Sequence, residues 1–137
     1  MKELPYGIGI EVSMPLEAAE QAIRDALSEE GFGILTEIDV AATMKEKLGI
    51  DRTPYKILGA CNPPLANRAL EADEQIGLLL PCNVAVYRSG ETTMIAAMEP
   101  SLMASMSAEG ELKEVAAEAR ARIIRALERV EAGADAE

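Results

Sequence analysis

Apolar and polar residues alternate from Tyr6 to Val12, with Tyr6, Ile8, Ile10 and Val12 on one side and Gly7, Gly9 and Glu11 on the other. That period predicts a half-buried strand. The period then changes. Ser13 and Pro15 signal a helix start, and Leu16, Ala19, Ile23, Ala26 and Leu27 recur at helical spacing until Gly31, which predicts a long amphipathic helix over about residues 15–30. Gly33–Ile38 reads as a second strand. Asp39 is placed to cap a short helix carrying Val40, Met44 and Leu48, and Gly49 to end it.

Tyr55–Cys61 predicts a third strand, after which Asn62 can cap and Pro63 can open another short helix with Leu65, Ala66, Ala69 and Leu70 on its buried side. Leu78–Arg88 and Thr92–Met98 predict two further strands, joined at Ser89-Gly90. Pro81 lacks an amide hydrogen, so the first of these is expected at a sheet edge or at a bulge beside Cys82. Apolar residues at 112, 115, 119, 123, 126, 127 and 130 mark a long closing helix.

These elements predict one α+β domain over residues 1–132, with residues 133–137 as a frayed tail. The expected order is strand, helix, four strands, helix, with two short helices in the connections. A mainly antiparallel sheet of about five strands, with the two long helices on one face, satisfies every apolar stripe. The other face then needs cover, and a homodimer is expected.

Composition narrows the chemistry. The chain has 137 residues, 24 acidic against 13 basic, for a net charge of −11. That field repels polyphosphate backbones and anionic membrane surfaces, so neither nucleic acid nor membrane is an expected partner. Apolar runs such as Ile76–Pro81 fall far short of a membrane span. The N-terminal residues lack the apolar core of a secretory signal, so a cytoplasmic setting is expected, with Cys61 and Cys82 as thiols. The chain has no histidine, which removes histidine-assisted triads and the commonest metal ligand. Two sulfurs do not complete a tetrahedral zinc site without carboxylates or a second subunit. Phosphate-loop and dinucleotide fingerprints are missing too. No metal and no cofactor are expected.

The most informative segments are Gly59–Pro63 and Leu80–Val84, each placing a Cys-Asn unit beside a proline. Cys61 lies just ahead of a predicted helix, where backbone N–H groups can stabilise a thiolate. Cysteine is equally a small buried hydrophobe, and Asn62 a good cap. Glu37 and Asp39 are two apart and can share a strand face as an acid–base couple. Alternatively, Asp39 is only a cap and Glu37 a solvated strand residue. Tyr55 and Lys56 are placed to supply a phenol and an ammonium at a pocket rim, or simply to face solvent. The methionines Met94, Met98, Met103 and Met106 read as core or interface filler.

Three ordered stretches, GFGILTEIDV at 31–40, YKILGACNP at 55–63 and GLLLPCNV at 77–84, closely resemble the uncharacterised prokaryotic family called domain of unknown function 302. The match covers nearly the whole chain. The resemblance implies a fold similar to the TATA-binding-protein class, a curved antiparallel sheet gripped by helices and often assembled as a homodimer. It implies no DNA binding, and the family carries no agreed activity.

The leading expectation is a small dimeric ligand-binding domain with a pocket near Glu37, Lys56, Cys61, Asn62, Cys82 and Asn83. Amides and helix N–H groups would orient a polar or anionic group while leucines and isoleucines bury the rest. One alternative is a thiol-dependent redox, sulfur-handling or metal-binding protein, with Cys61 as nucleophile and Cys82 in support. Another is a structural interaction module.

Overall fold

The structure is a computed structural model and describes residues 1–106 and 110–135. Six strands, β1 (Lys2–Glu3), β2 (Gly7–Val12), β3 (Gly33–Asp39), β4 (Tyr55–Cys61), β5 (Cys82–Ser89) and β6 (Thr92–Met98), form one antiparallel sheet. Their order across it is β1-β2-β6-β5-β4-β3. The helices are α1 (Leu16–Glu29), α2 (Val40–Leu48), α3 (Pro63–Ala72), α4 (Ser101–Ser105) and α5 (Gly110–Asp135), with a 3₁₀ helix over Glu74–Leu79. The chain is therefore mixed α+β with an antiparallel sheet.

Local chemistry sets several boundaries where the sequence places them. Asp39 Oδ1 accepts the Ala42 N–H at 2.9 Å and so caps α2, which Gly49 ends in the left-handed region at φ 66°. Asn62 Oδ1 accepts the Leu65 N–H at 3.3 Å, and Pro63 and Pro64 open α3.

Alternation turns Ile8, Ile10, Leu58, Val84, Val86 and Ile95 onto one face of the sheet. Against them pack Ile23 and Leu27 of α1 and Ile123 and Leu127 of α5. Each fully buried side chain of this size contributes about 1.5–3 kcal/mol. The N-terminal half of α5 turns Leu112, Val115 and Ala119 into a second cluster with Leu65 and Ala69 of α3, Ile76 and Met103. All seven apolar positions expected on the closing helix are buried.

Several expectations are corrected. The sheet has six strands, because β1 pairs Lys2 with Gly9 and Glu3 with Ile8; two residues are too few to show an alternation. Leu4 and Gly7 exchange backbone hydrogen bonds around Pro5 and Tyr6. Tyr6 therefore sits at a hairpin tip, 80% exposed, and not in the core. The strand expected from Leu78 begins only at Cys82. Asp73 Oδ1 accepts the Gln75 N–H at 3.0 Å and starts a 3₁₀ helix through the preceding leucines, whose unbroken apolar run fits helix or strand alike. β5 lies inside the sheet, and Pro81 stands one residue ahead of it, where no ladder bond is lost. The short helix α4 has no counterpart in the expected elements. α5 continues through Gly133 to Asp135; residues 136–137 of the expected tail lie outside the described residues.

Met94 and Met103 are buried, while Met106 is 75% exposed. In the β3–β4 pairing the register shifts between Ile34 and Thr36, a bulge on the outermost strand.

Candidate functional site

The helices α1 and α5 both cover the first sheet face, so the residues between the core positions define what the second face offers. Gly7 and Gly9 of β2, Ala96 and Met98 of β6, Asn83, Ala85 and Tyr87 of β5, and Tyr55 and Ile57 of β4 share it. Most of their side chains stay half exposed.

A groove of about 420 Å³ opens on this face, within the roughly 300–1,000 Å³ of small-molecule sites. Register explains its shape. Ala96 pairs with Ala85 and Ala85 with Ile57, so two small residues on neighbouring strands form a floor that Ile57 continues. Tyr87 and Tyr55 pair in the row on one side. Asn83, opposite Gly59, lies in the row on the other. Leu4, Pro5 and Tyr6 of the β1–β2 turn form a wall. A Cβ on Gly9 would meet Leu4 Cδ1 and the Ile95 carbonyl oxygen at 3.0 Å, so glycine there lets the turn lie close over the sheet.

The Tyr55 and Tyr87 rings stack with centroids 4.9 Å apart and planes 12° from parallel, an offset pair worth about 0.5–1.5 kcal/mol. The Arg52 guanidinium lies over the Tyr55 ring, 5.4 Å from its centroid.

Glu37 and Lys56 belong to the opposite face. Lys56 Nζ donates to Glu37 at 2.8 Å and reaches Glu20 at 3.0 Å, and Arg24 bridges the same two carboxylates at 2.7 and 2.9 Å. The Lys56 hydrogen bond holds the Glu37 carboxyl below the usual carboxylate range, and Glu37 and Glu20 in turn raise Lys56. This pulls Glu37 away from the raised value that an acid–base pair needs. Asp39 is spent as the cap of α2.

Cys61, Asn62 and Cys82 line a small cavity of about 20 Å³ between β4, β5 and α3. Both cysteines are free; Cys61 is half-buried and Cys82 buried. Burial, and secondarily the neighbouring Cys61, push the Cys82 thiol up to about 11, so it carries little thiolate at neutral pH. Asn62 is buried, with its amide donating to the Glu30 carbonyl at 3.3 Å while its oxygen caps α3. Among the described residues, no group of three Asp, Glu or Cys is placed to hold a metal ion, and no helix is long and apolar enough to cross a membrane.

The six residues expected in one pocket thus occupy three places: an ion-pair network, a small cavity behind α3, and the groove, which Asn83 alone enters.

A family model described as a domain of unknown function, DUF302, matches residues 8–130. The chain belongs to the DUF302 family. It is similar to the crystal structure of an uncharacterized conserved DUF302 protein from Bacillus stearothermophilus, at 33% identity and a TM-score of 0.84, covering 92% of this chain and 98% of that one. No curated protein matches the chain.

In this DUF302 chain the groove residues that sequence reading missed are Tyr6, Ala85, Tyr87, Ala96 and the neighbouring Arg52. The alternation within β5 and β6 carried a signal, since it separates Ala85 and Ala96 from the bulkier residues of the opposite face. Their meeting with Ile57 depends on pairings made far along the chain.

Proposed function

We propose that this DUF302 protein is a small-ligand-binding domain whose site is the groove on the uncovered sheet face. One observation carries the reading: a concave, mostly apolar space of about 420 Å³, with three tyrosines and one asparagine at its edges, on a face that neither long helix covers. Asn83 supplies the orienting amide, and Ala85, Ile57 and Met98 the apolar contact. Cys61, Asn62 and Cys82 serve packing and capping in this reading. The two free thiols fit a cytoplasmic setting.

A homodimer is part of the proposal. Leu70, Leu78 and Leu102 are 40%, 86% and 40% exposed and none of them lines the groove, so contacts made through them leave it free. Light scattering on the eluting protein is expected to give twice the chain mass, and Leu78→Glu to halve it.

Native mass spectrometry of freshly purified protein tests the ligand reading, with a bound small molecule expected that Ala85→Leu expels. A thermal-shift screen in which no small molecule stabilises the wild type more than Ala85→Leu would refute it and leave an interaction module.

A further inference from the structure

We infer that the occupant of the groove is a flat aromatic molecule bearing an anionic group, with its rings on the Ala96–Ala85 floor and its charge toward Arg52. The inference rests on the ligand-binding reading above and adds the chemical class. Shape supplies the first half. The floor crosses β6 and β5 and continues to Ile57 on β4, two strand spacings or roughly 10 Å. The rows holding Tyr87 and Asn83 stand four residues apart on β5, roughly 13 Å between backbones. The Tyr87 and Asn83 side chains are larger than that of Ala85 between them, so the floor lies in a slot bounded on two sides. A bulky branched molecule does not sit on such a floor, whereas a planar one buries a whole face on it.

Charge supplies the second half. The protein carries a net charge of −11, and most of its cations are consumed by its own carboxylates. Arg52 makes no ion pair among the described residues, and its guanidinium is held over Tyr55, which stacks on the groove residue Tyr87. The opposing charge near the slot is Glu11, in the row of Tyr87 but at the β2 end. Lys2 at 3.4 Å and the Thr92 hydroxyl at 2.8 Å engage it, so the slot is polarised with its available positive charge at the tyrosine end. The stacked tyrosines also give the ligand ring an aromatic edge to meet.

Two dyes with the same rings test this: 8-anilinonaphthalene-1-sulfonate, which is anionic, and N-phenyl-1-naphthylamine, which is neutral. Fluorescence titrations compare the wild type with Arg52→Gln and Ala85→Leu, each shown to be folded by circular dichroism. The wild type is expected to prefer the sulfonate, Arg52→Gln to weaken the sulfonate alone by about fivefold, and Ala85→Leu to weaken both dyes. If Ala85→Leu weakens both while Arg52→Gln changes neither, or both equally, the anionic class is wrong and the groove stands. If Ala85→Leu leaves both dyes bound as in the wild type, the groove is not the site and the inference falls with it.

Discussion

Thr93 is fully buried at 0% exposure on the helix-facing side of β6, and replacing it with valine is expected to be costly although valine matches its shape. The hydroxyl donates to the Met14 carbonyl at 2.7 Å and accepts from Arg88 Nη1 at 2.8 Å. It thereby ties the residues before α1 to the β5–β6 hairpin. A neutral hydrogen bond contributes about 0.5–1.5 kcal/mol and one to a charged donor about 1.5–3 kcal/mol. Arg88 retains its bonds to the Met14 carbonyl at 3.2 Å and to the Gly90 carbonyl at 3.5 Å, so the loss falls near the lower sum, about 2 kcal/mol. Serine keeps both bonds and removes one methyl, about 0.8 kcal/mol. Urea unfolding measures the difference. With a slope of about 2 kcal/mol/M, Thr93→Val is expected to lower the midpoint by about 1 M and Thr93→Ser by less than half of that, with unchanged slopes. A Thr93→Val midpoint at or above that of Thr93→Ser would refute the reasoning, because burial of apolar surface would then outweigh the two hydrogen bonds.

Three further outcomes follow from the packing. Alkylation of the native protein at pH 8 is expected to modify Cys61 well before Cys82, with denaturant removing the difference. Because the Cys82 thiol is raised to about 11 from an ordinary 9.0, its contribution to stability is complete below pH 9 and is lost as pH rises toward 11. Cys82→Ala is expected to flatten that part of the stability curve, and an unchanged slope would show that burial does not hold the thiol protonated. On the uncovered face, a Cβ at Gly59 would collide with Thr36 Oγ1 and come within 2.7 Å of Pro81 Cγ, whereas Gly33 has nothing within 4 Å. Gly59→Ala is expected to cost about 1–3 kcal/mol in urea unfolding and Gly33→Ala to be neutral within about 0.5 kcal/mol.

What the sequence discloses is whatever depends on neighbours in the chain. Asp39 and Asn62 cap helices because a short acceptor side chain needs only the next turn, and the stripe from Leu112 to Val130 needs only one helix. The 3₁₀ helix at Glu74–Leu79 was hidden because an unbroken apolar run has no period to read. The groove was hidden for another reason. Its floor joins residues 85 and 96, each an unremarked small residue until strand pairing brings them into one row. Glu37 and Lys56 attracted notice by their charge, and it is mutual neutralisation that occupies them. Cys61 and Cys82 stand out in the sequence because each begins a Cys-Asn unit beside a proline, and Cys82 is held as a thiol by the same burial that makes it useful to the core.

The bulge between Ile34 and Thr36 lies on β3, the outermost strand on its side of the sheet. An unguarded edge of this kind is an invitation to polymerise, since any extended chain can zip onto its free amides and carbonyls. Here the register slips part-way along, and the charged Glu37 points toward the helix side, so an incoming strand finds no regular ladder to follow. The bulge therefore guards this edge against sideways growth into fibres while the second sheet face stays uncovered by the long helices.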